Sequence, residues 1–121
     1  MIEKVNVADQ LQLIHEHWRP NVVGELNGQE VKIVKFQGEF PWHHHENEDE
    51  MFFGISGKFF LEFRDLKIEV GPGEFVVVPR GVEHRPVAEN EVEVMLFEPA
   101  GVLNTGNILD EKFTDPKGII V

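Results

Sequence analysis

Hydrophobic and polar residues alternate with a period of two along most of the chain after residue 21. This alternation predicts β-strands that place one face against a core, and the glycine- and proline-rich segments between them predict tight turns. Many short strands of this kind are typical of an all-β sandwich or barrel. The predicted strands cover residues 22–26, 30–36, 42–45, 50–56, 58–64, 67–70, 74–78, 84–87 and 91–98.

The beginning of the chain differs from this pattern. Apolar residues in the segment 8–18 have a roughly helical spacing, Asp9 is a candidate N-cap, and Arg19-Pro20 would end the helix. No later segment predicts a long helix. We therefore expect a single domain over residues 1–121, with an N-terminal extension of about 1–21, a barrel of about 22–98 and a C-terminal tail of about 99–121.

Composition and charge narrow the class of protein. The 121 residues include ten phenylalanines and no cysteine, so aromatic rings rather than disulfides must stabilise the interior. A small chain that folds without disulfides fits the cytoplasm. No segment predicts a membrane span or a secretory leader. The 11 basic and 22 acidic residues give a net charge of −11, which repels nucleic-acid phosphates and anionic membranes and attracts cations. We expect a cytoplasmic protein that binds neither nucleic acid nor membrane.

A run of three histidines followed by acidic residues carries the strongest candidate chemistry. His43 and His45 are two residues apart, so on an extended strand both imidazoles point to one face and His44 points to the other. Glu50 adds a carboxylate, and His84 can return from a neighbouring strand. This set of three imidazoles and one carboxylate predicts a metal site.

The residue types also limit which metal such a site would take. Mixed nitrogen and oxygen ligands suit Mn, Fe, Co, Ni or Zn better than Ca or Mg. The absence of cysteine excludes sulfur ligands. A solvated loop of histidine and glutamate is the competing interpretation, because such loops also occur without a metal. The distant His84 favours the metal site.

The order of these residues resembles the two motifs of the cupin superfamily. The first motif has a glycine, a His-any-His pair, a glutamate and a glycine, and the second has a glycine, a Pro-any-Gly turn and a histidine. The matching positions in this chain are Gly38, His43, His45, Glu50, Gly57, Gly73, Pro79, Gly81 and His84.

The flanking sequences extend the resemblance. Glu16-His17-Trp18 and the segment 97–101 are similar to those of small single-domain bacterial cupins, a group often described as similar to mannose-6-phosphate isomerase. The resemblance implies an all-β double-stranded β-helix, the cupin jelly-roll barrel, with a short N-terminal helix preceding it. The residues that it implies as metal ligands inside the barrel are His43, His45, Glu50 and His84.

Several functions fit such a barrel. Four protein ligands on a six-coordinate metal leave two positions for water, substrate or O₂, which favours an enzyme, either a dioxygenase or an isomerase/epimerase, acting on a small polar metabolite. Trp42 is a candidate aromatic at the mouth, and Glu62 and Arg64 could face the cavity or the solvent. A non-catalytic metal- or sugar-binding module and a barrel that binds nothing are the alternatives. The candidate pocket residues are Phe36, Phe52, Phe75 and Val77, or their neighbours on the same strands.

The strand 50–56 also predicts a homodimer. If Glu50 points inward, Met51, Phe53 and Ile55 form an apolar stripe on the outer face of the sheet. The N-terminal segment through Trp18 can cover part of this stripe. A second copy of the chain, related by a two-fold axis, is expected to pair through this face or through the N-terminal strand.

Overall fold

The computed structural model describes residues 2–107, 110, 113 and 114, together with the backbone of residues 119 and 120, so part of the predicted C-terminal tail lies outside the described residues. Within the described residues, no helix is long and apolar enough to cross a membrane. The elements in chain order are α1 (Val7–Leu11), β1 (Asn21–Leu26), β2 (Gln29–Glu39), β3 (Glu50–Ser56), β4 (Phe59–Glu62), β5 (Lys67–Val70), β6 (Phe75–Val78), β7 (Arg85–Pro99) and β8 (Ile119–Ile120).

β7 is the central strand of the fold. It pairs with β4 near its start and with β3 along its second half, while β2 runs beside it for most of its length. The path of neighbours is β5-β4-β7-β2-β1-β8, and β3 also pairs with β6. These pairs are antiparallel except for β1 with β8, which is parallel. Because different strands flank the two ends of β7, the sheet curls around a core, and the predicted all-β jelly-roll with a short N-terminal helix is confirmed.

Alternate residues of the strands face the interior. In β3, Glu50, Phe52 and Gly54 are buried while Met51 and Phe53 between them are half-buried, and β7 alternates in the same way over residues 92–98. Aromatic rings fill much of the core. Trp18 stacks on Phe36 with the ring centroids 4.6 Å apart, a pairing that contributes about 0.5–1.5 kcal/mol beyond its buried area.

The helix is shorter than the sequence predicted, and its N-cap differs. Asn6 rather than Asp9 is the N-cap, because the Asn6 side-chain oxygen accepts a hydrogen bond from the Asp9 N–H at 3.0 Å. The chain then leaves helical geometry. Trp18 has a φ of +67°, and its N–H donates to the Lys35 carbonyl at 2.9 Å. Packing of Trp18 into the core therefore overrides the weak helical pattern of this segment.

The predicted strand at residues 42–45 is wrong. The segment forms one isolated β-bridge, in which the His43 N–H donates to the His84 carbonyl at 3.0 Å and the His84 N–H donates back at 2.8 Å. This single pair of bonds is too short for a strand. The expected alternation of side chains nevertheless holds, since His43 and His45 are buried and His44 is half-buried.

One long strand replaces two that the sequence predicted. β7 continues through residues 88–90, where the sequence pattern predicted a separation between two strands. Residues 89–91 are exposed and polar, so they interrupt the apolar pattern. The register against β2 shifts here, since Phe36 pairs with Val92 and Gly38 pairs with Ala88, which leaves the extra residues on β7.

The N-terminal segment covers part of the outer face of the sheet. Leu11 and Ile14 form an apolar cluster with Ile33, and Ile55 packs against it. The part of the stripe at Ile55 is therefore covered within one chain.

Candidate metal centre

Four side chains converge inside the barrel. His43, His45, Glu50 and His84 each offer one ligand atom, and these atoms lie within 4.8 Å of one another. All four residues are buried. Ligands about 2.0–2.2 Å from one ion lie up to about 4 Å apart, so a small contraction of the group would place all four around a single ion. The structure thus brings together the residues that the sequence singled out.

Backbone carbonyl groups orient two of the imidazoles. The Nδ1 atom of His43 is 2.9 Å from the Pro41 carbonyl oxygen, and the Nδ1 atom of His84 is 2.9 Å from the Val82 carbonyl oxygen. A carbonyl oxygen can only accept, so each Nδ1 carries the proton and each Nε2 has a free lone pair. Metal-binding histidines are commonly oriented in this way.

Polar atoms at the centre of the group are buried without hydrogen-bond partners. They include Nε2 of His45, Nε2 of His84 and Oε1 of Glu50. Oε1 of Glu50 is 3.1 Å from Nε2 of His45 and 3.7 Å from Nε2 of His84, but neither contact is a hydrogen bond. An unpaired buried polar atom costs about 1–3 kcal/mol, and one cation between these atoms would satisfy all three. The donor set therefore fits a transition-metal ion.

The ionisation states also suit a metal. Burial, and then the nearby His84, lower the pKa of His43 from 6.5 to about 3. Burial alone would raise the pKa of Glu50, but the imidazoles of His45 and His84 outweigh burial and hold it below its usual range. A neutral imidazole and an ionised carboxylate are the forms that coordinate metals.

Two more buried charged residues lie beside Glu50, and the sequence interpretation gave them no role. The Lys32 Nζ donates to Glu98 Oε1 at 3.0 Å, and the strand register places the Glu98 carboxyl next to that of Glu50. Burial, and then the charge of Glu50, raise the pKa of Glu98 well above its ordinary value, whereas Lys32 lowers it. Lys32 is two residues from the core residue Val34, and Glu98 is two residues from the core residue Leu96. This spacing could have indicated that both charged side chains face inward.

A narrow cavity of about 20 Å³ lies beside His43 and Glu50. This volume is enough for one water molecule or one diatomic molecule. Among the described residues that line it, only His43 and Glu50 titrate. The rest of the wall is mainly aromatic and aliphatic and includes Trp18, Val34, Phe36, Phe40, Phe52 and Leu96.

A larger groove of about 270 Å³ opens to the solvent next to His45. One wall is a loop that is bonded to the histidine run, because the Asn107 N–H donates to the His44 carbonyl at 3.0 Å and the His44 N–H donates to Asn107 Oδ1 at 2.8 Å. Gly106 has a φ of +58°, and a Cβ at this position would clash with the His44 carbonyl. The other lining residues are Glu46, Glu48, Pro99, Ala100, Gly101, Val102 and Leu103.

Comparison with known proteins identifies the family. The family model of the cupin domain matches residues 30–98, which contain all four candidate ligands. The chain belongs to the cupin family. It is a small single-domain cupin, as the motifs at its two histidine-containing segments predicted.

Similar cupins are known from several bacteria. A cupin-2 domain-containing protein from Shewanella frigidimarina is 42% identical, and its crystal structure aligns with a TM-score of 0.78 over 78% of this chain and 93% of that chain. A protein from Neisseria meningitidis is 32% identical, with a TM-score of 0.74 over 81% of this chain and 100% of its own. The uncharacterized protein YdbB from Bacillus subtilis is 33% identical over 80 residues, which are 65% of this chain and 68% of YdbB.

Two candidate pocket residues of this cupin do not line the cavity. Phe75 and Val77 are 59% and 52% exposed, because alternate residues of β6 face outward. The expectations for Phe75 and Val77 themselves were therefore wrong. Trp42, the candidate aromatic at the mouth, has the guanidinium carbons of Arg64 and Arg85 at 4.0 Å and 4.9 Å from the centroid of its ring.

The charged residues of the β4 region form surface ion pairs. Arg64 Nε donates to Glu83 at 2.7 Å, and Arg85 Nε donates to Glu62 at 2.9 Å. Of the two orientations that the sequence left open for Glu62 and Arg64, the structure has the one away from the cavity. Neither side chain lines the cavity as an acid or base.

Trp18 is a wall residue that the sequence interpretation treated only as a packing anchor. Its Nε1 donates to the Gln37 carbonyl at 3.0 Å, which fixes the ring over the cavity. Trp18 precedes the first strand, so no period-two pattern could indicate which way it faces.

Proposed function

We propose that this cupin is a metal-dependent enzyme that acts on a small polar metabolite, with His43, His45, Glu50 and His84 as the ligands of one divalent transition metal. The candidates are Mn, Fe, Co, Ni and Zn. The observation that carries the proposal is the group of buried, unpaired ligand atoms that face one another. When bound, the ion would supply Lewis acidity and a binding position for substrate oxygen atoms or O₂.

Dioxygenation is the reaction class that the cavity supports best. An isomerase or epimerase needs a base that moves a proton, but the titratable groups among the described cavity residues are the ligands themselves. A dioxygenase adds both atoms of O₂ to its substrate and needs no separate reductant. The small apolar cavity suits O₂, and the groove beside His45 would admit the metabolite. The aromatic wall of the cavity, which includes Trp18, would exclude bulk water.

A non-catalytic metal- or sugar-binding module is the second candidate. It is favoured by the size of the cavity, since about 20 Å³ holds no metabolite, and beside the candidate ligands such space is found in the open groove next to His45. The module would use the same four ligands but would turn over nothing.

Elemental analysis and oxygen uptake together test the proposal. The protein is purified without a histidine tag or a chelating column, and its metal is measured and then its O₂ consumption with panels of small polar metabolites. Iron near one per chain with substrate-dependent O₂ uptake is the expected result. Manganese or zinc without O₂ uptake would replace the dioxygenase with an isomerase or a binding module. No transition metal after growth with all five metals would overturn the metal centre.

We propose that two copies of the chain pair through the outer face of β3 and β6. Phe75 and Val77 are exposed there, and their register partners Phe53 and Met51 are half-buried beside them. Among the described strands β6 pairs with β3 alone, so its other edge is free as well. A self-complementary contact between two such apolar faces would bury both.

The remaining proposals concern the whole chain. We propose that residues 1–121 form one domain, in the group of cupins similar to mannose-6-phosphate isomerase. A chain without cysteine among its 121 residues also suits the cytoplasm, which we propose as its location.

A further inference from the structure

An ion pair is buried in the barrel interior behind the proposed metal centre. Lys32 is 3% exposed and Glu98 is 1% exposed, and their charged atoms are 3.0 Å apart. Glu30 lies 3.7 Å from the same Lys32 Nζ but is more exposed. Replacing a buried ion pair by apolar residues is often neutral or stabilising, so the stability of the barrel gives no reason for these charges.

The strand register places Glu98 next to Glu50. Glu98 is one residue beyond Phe97, which pairs with Met51 of β3, so Glu98 faces inward directly beside Glu50. On the other side, β2 pairs with β7 and brings Lys32 to Glu98. Three hydrogen-bonded strands therefore fix a continuous series of contacts from Lys32 through Glu98 to Glu50.

We propose that Glu98, held by Lys32, is a positioning residue that directs Glu50 toward the three imidazoles and so strengthens metal binding. This inference rests on the proposed metal centre. Oε1 of Glu50 lies between His45 and His84, while the other side of the Glu50 side chain packs against the buried Glu98, its neighbour across the strand pair. Without that second contact the Glu50 side chain gains rotational freedom, which a metal would have to remove on binding.

The test removes the charge pair without leaving a lone buried charge. The variant combines Lys32→Met with Glu98→Leu, which exchanges one acid and one base for apolar side chains of similar size. Glu98→Gln is the conservative variant, because its amide keeps the size of the side chain and can donate a hydrogen bond to the Glu50 carboxylate. Glu30→Gln is the matched control, because Glu30 is also close to Lys32 but has no contact with Glu50 among its described interactions. Should the double variant fail to fold, Lys32→Leu with Glu98→Met gives the same test.

Three quantities are measured for each variant. They are the affinity for Co²⁺ alone by competition with a chelator, the visible absorption spectrum of the Co²⁺ form, and the thermal stability of the metal-free protein. We expect the double variant to bind Co²⁺ about 10- to 100-fold more weakly, with an altered spectrum, while its metal-free form is as stable as the wild type. Glu98→Gln should retain most of the affinity, and Glu30→Gln should match the wild type.

The outcomes separate two kinds of failure. If the wild type binds Co²⁺ and the double variant binds it equally well with the same spectrum, Glu98 has only a structural role and the inference is overturned. An equal loss of Co²⁺ affinity in Glu30→Gln would also overturn the inference, because the loss would then reflect the change in net charge and not the position of Glu98. If the wild type itself binds no Co²⁺, the proposed metal centre fails and this inference falls with it.

Discussion

His43, His44 and His45 are adjacent in the sequence, yet their environments differ. The outer two are buried in the barrel, whereas His44 is half-buried and its Nε2 is 2.8 Å from the exposed Glu46. Alternation of side chains along an extended backbone is sufficient to produce this difference. In this segment, every second residue faces the barrel interior, and only those residues can be metal ligands.

Substitution of single histidines tests the ligand assignment. His45→Ala or His84→Ala should lower the bound metal well below one per chain, because each removes a nitrogen from the buried group. His44→Ala is the control and should leave the metal content nearly unchanged. Elemental analysis of the purified variants measures the effect. An equal loss at His44 would contradict the assignment.

Protonation of His43 should couple stability to pH in the metal-free protein. Its pKa is lowered from 6.5 to about 3 on folding, chiefly by burial, so between these values the unfolded chain binds a proton that the folded chain does not. The stabilising contribution is complete above pH 6.5 and is lost as the pH falls toward 3, by at most about 1.4 kcal/mol per pH unit.

Urea denaturation of the wild type and of His43→Gln, each at several pH values between 7 and 4 with a chelator present, isolates this contribution. The stability advantage of the wild type should shrink as the pH falls. A difference between the two proteins that stays constant over the range would show that His43 does not carry the coupling.

At the scale of elements, the loop at residues 99–107 completes the site from outside the barrel. It forms one wall of the groove beside His45 and is bonded to the backbone of His44 through Asn107. The close approach requires a glycine at residue 106. The loop and the histidine run are therefore expected to move together.

Gly106→Ala tests this connection. The new Cβ would clash with the His44 carbonyl and would also strain a backbone with a φ of +58°, so we expect a loss of about 2–4 kcal/mol in the free energy of unfolding together with weaker metal binding. Gly101→Ala is the matched control, since Gly101 has a φ of +83° with no atom within 4 Å of the added Cβ. It should cost only about 1–2 kcal/mol and leave metal affinity unchanged. Similar losses of metal affinity in both variants would refute the role of the loop contact.

At the scale of the whole molecule, the two faces of the curled sheet carry different kinds of residue. The inner face carries the aromatic core and the candidate ligands, and the outer face leaves an apolar area on β3 and β6 that α1 covers only near Ile55. Exposed apolar side chains on one face, such as those of Phe75 and Val77, are expected to be covered by association.

Light scattering at micromolar concentration tests the homodimer. The wild type should have about twice the chain mass of 13.9 kDa, and Phe75→Glu should dissociate it, because a charge at the centre of an apolar contact is left unpaired. Leu26→Glu places the same charge on an exposed leucine of β1 and should leave the dimer intact. A wild-type mass near that of one chain, unchanged on concentration, would refute the dimer.

The sequence by itself determined the all-β class and the family, together with the residues that meet at the candidate centre. Strand alternation repeats along the whole chain, and turns that need glycine or proline have specific residues, so both leave a local signal. For the same reason, the burial of His43 and His45 on one side of the backbone was predictable although their segment is not a strand.

Only the tertiary structure decided what surrounds the candidate ligands. Trp18 and the loop at residues 99–107 reach the site by long-range contacts, for which sequence periodicity gives no direction. The partnership of Lys32 with Glu98 depends on the register between β2 and β7, because it joins residues far apart in the chain. Sequence periodicity gives the face of a side chain, whereas the pairing of strands determines its neighbours.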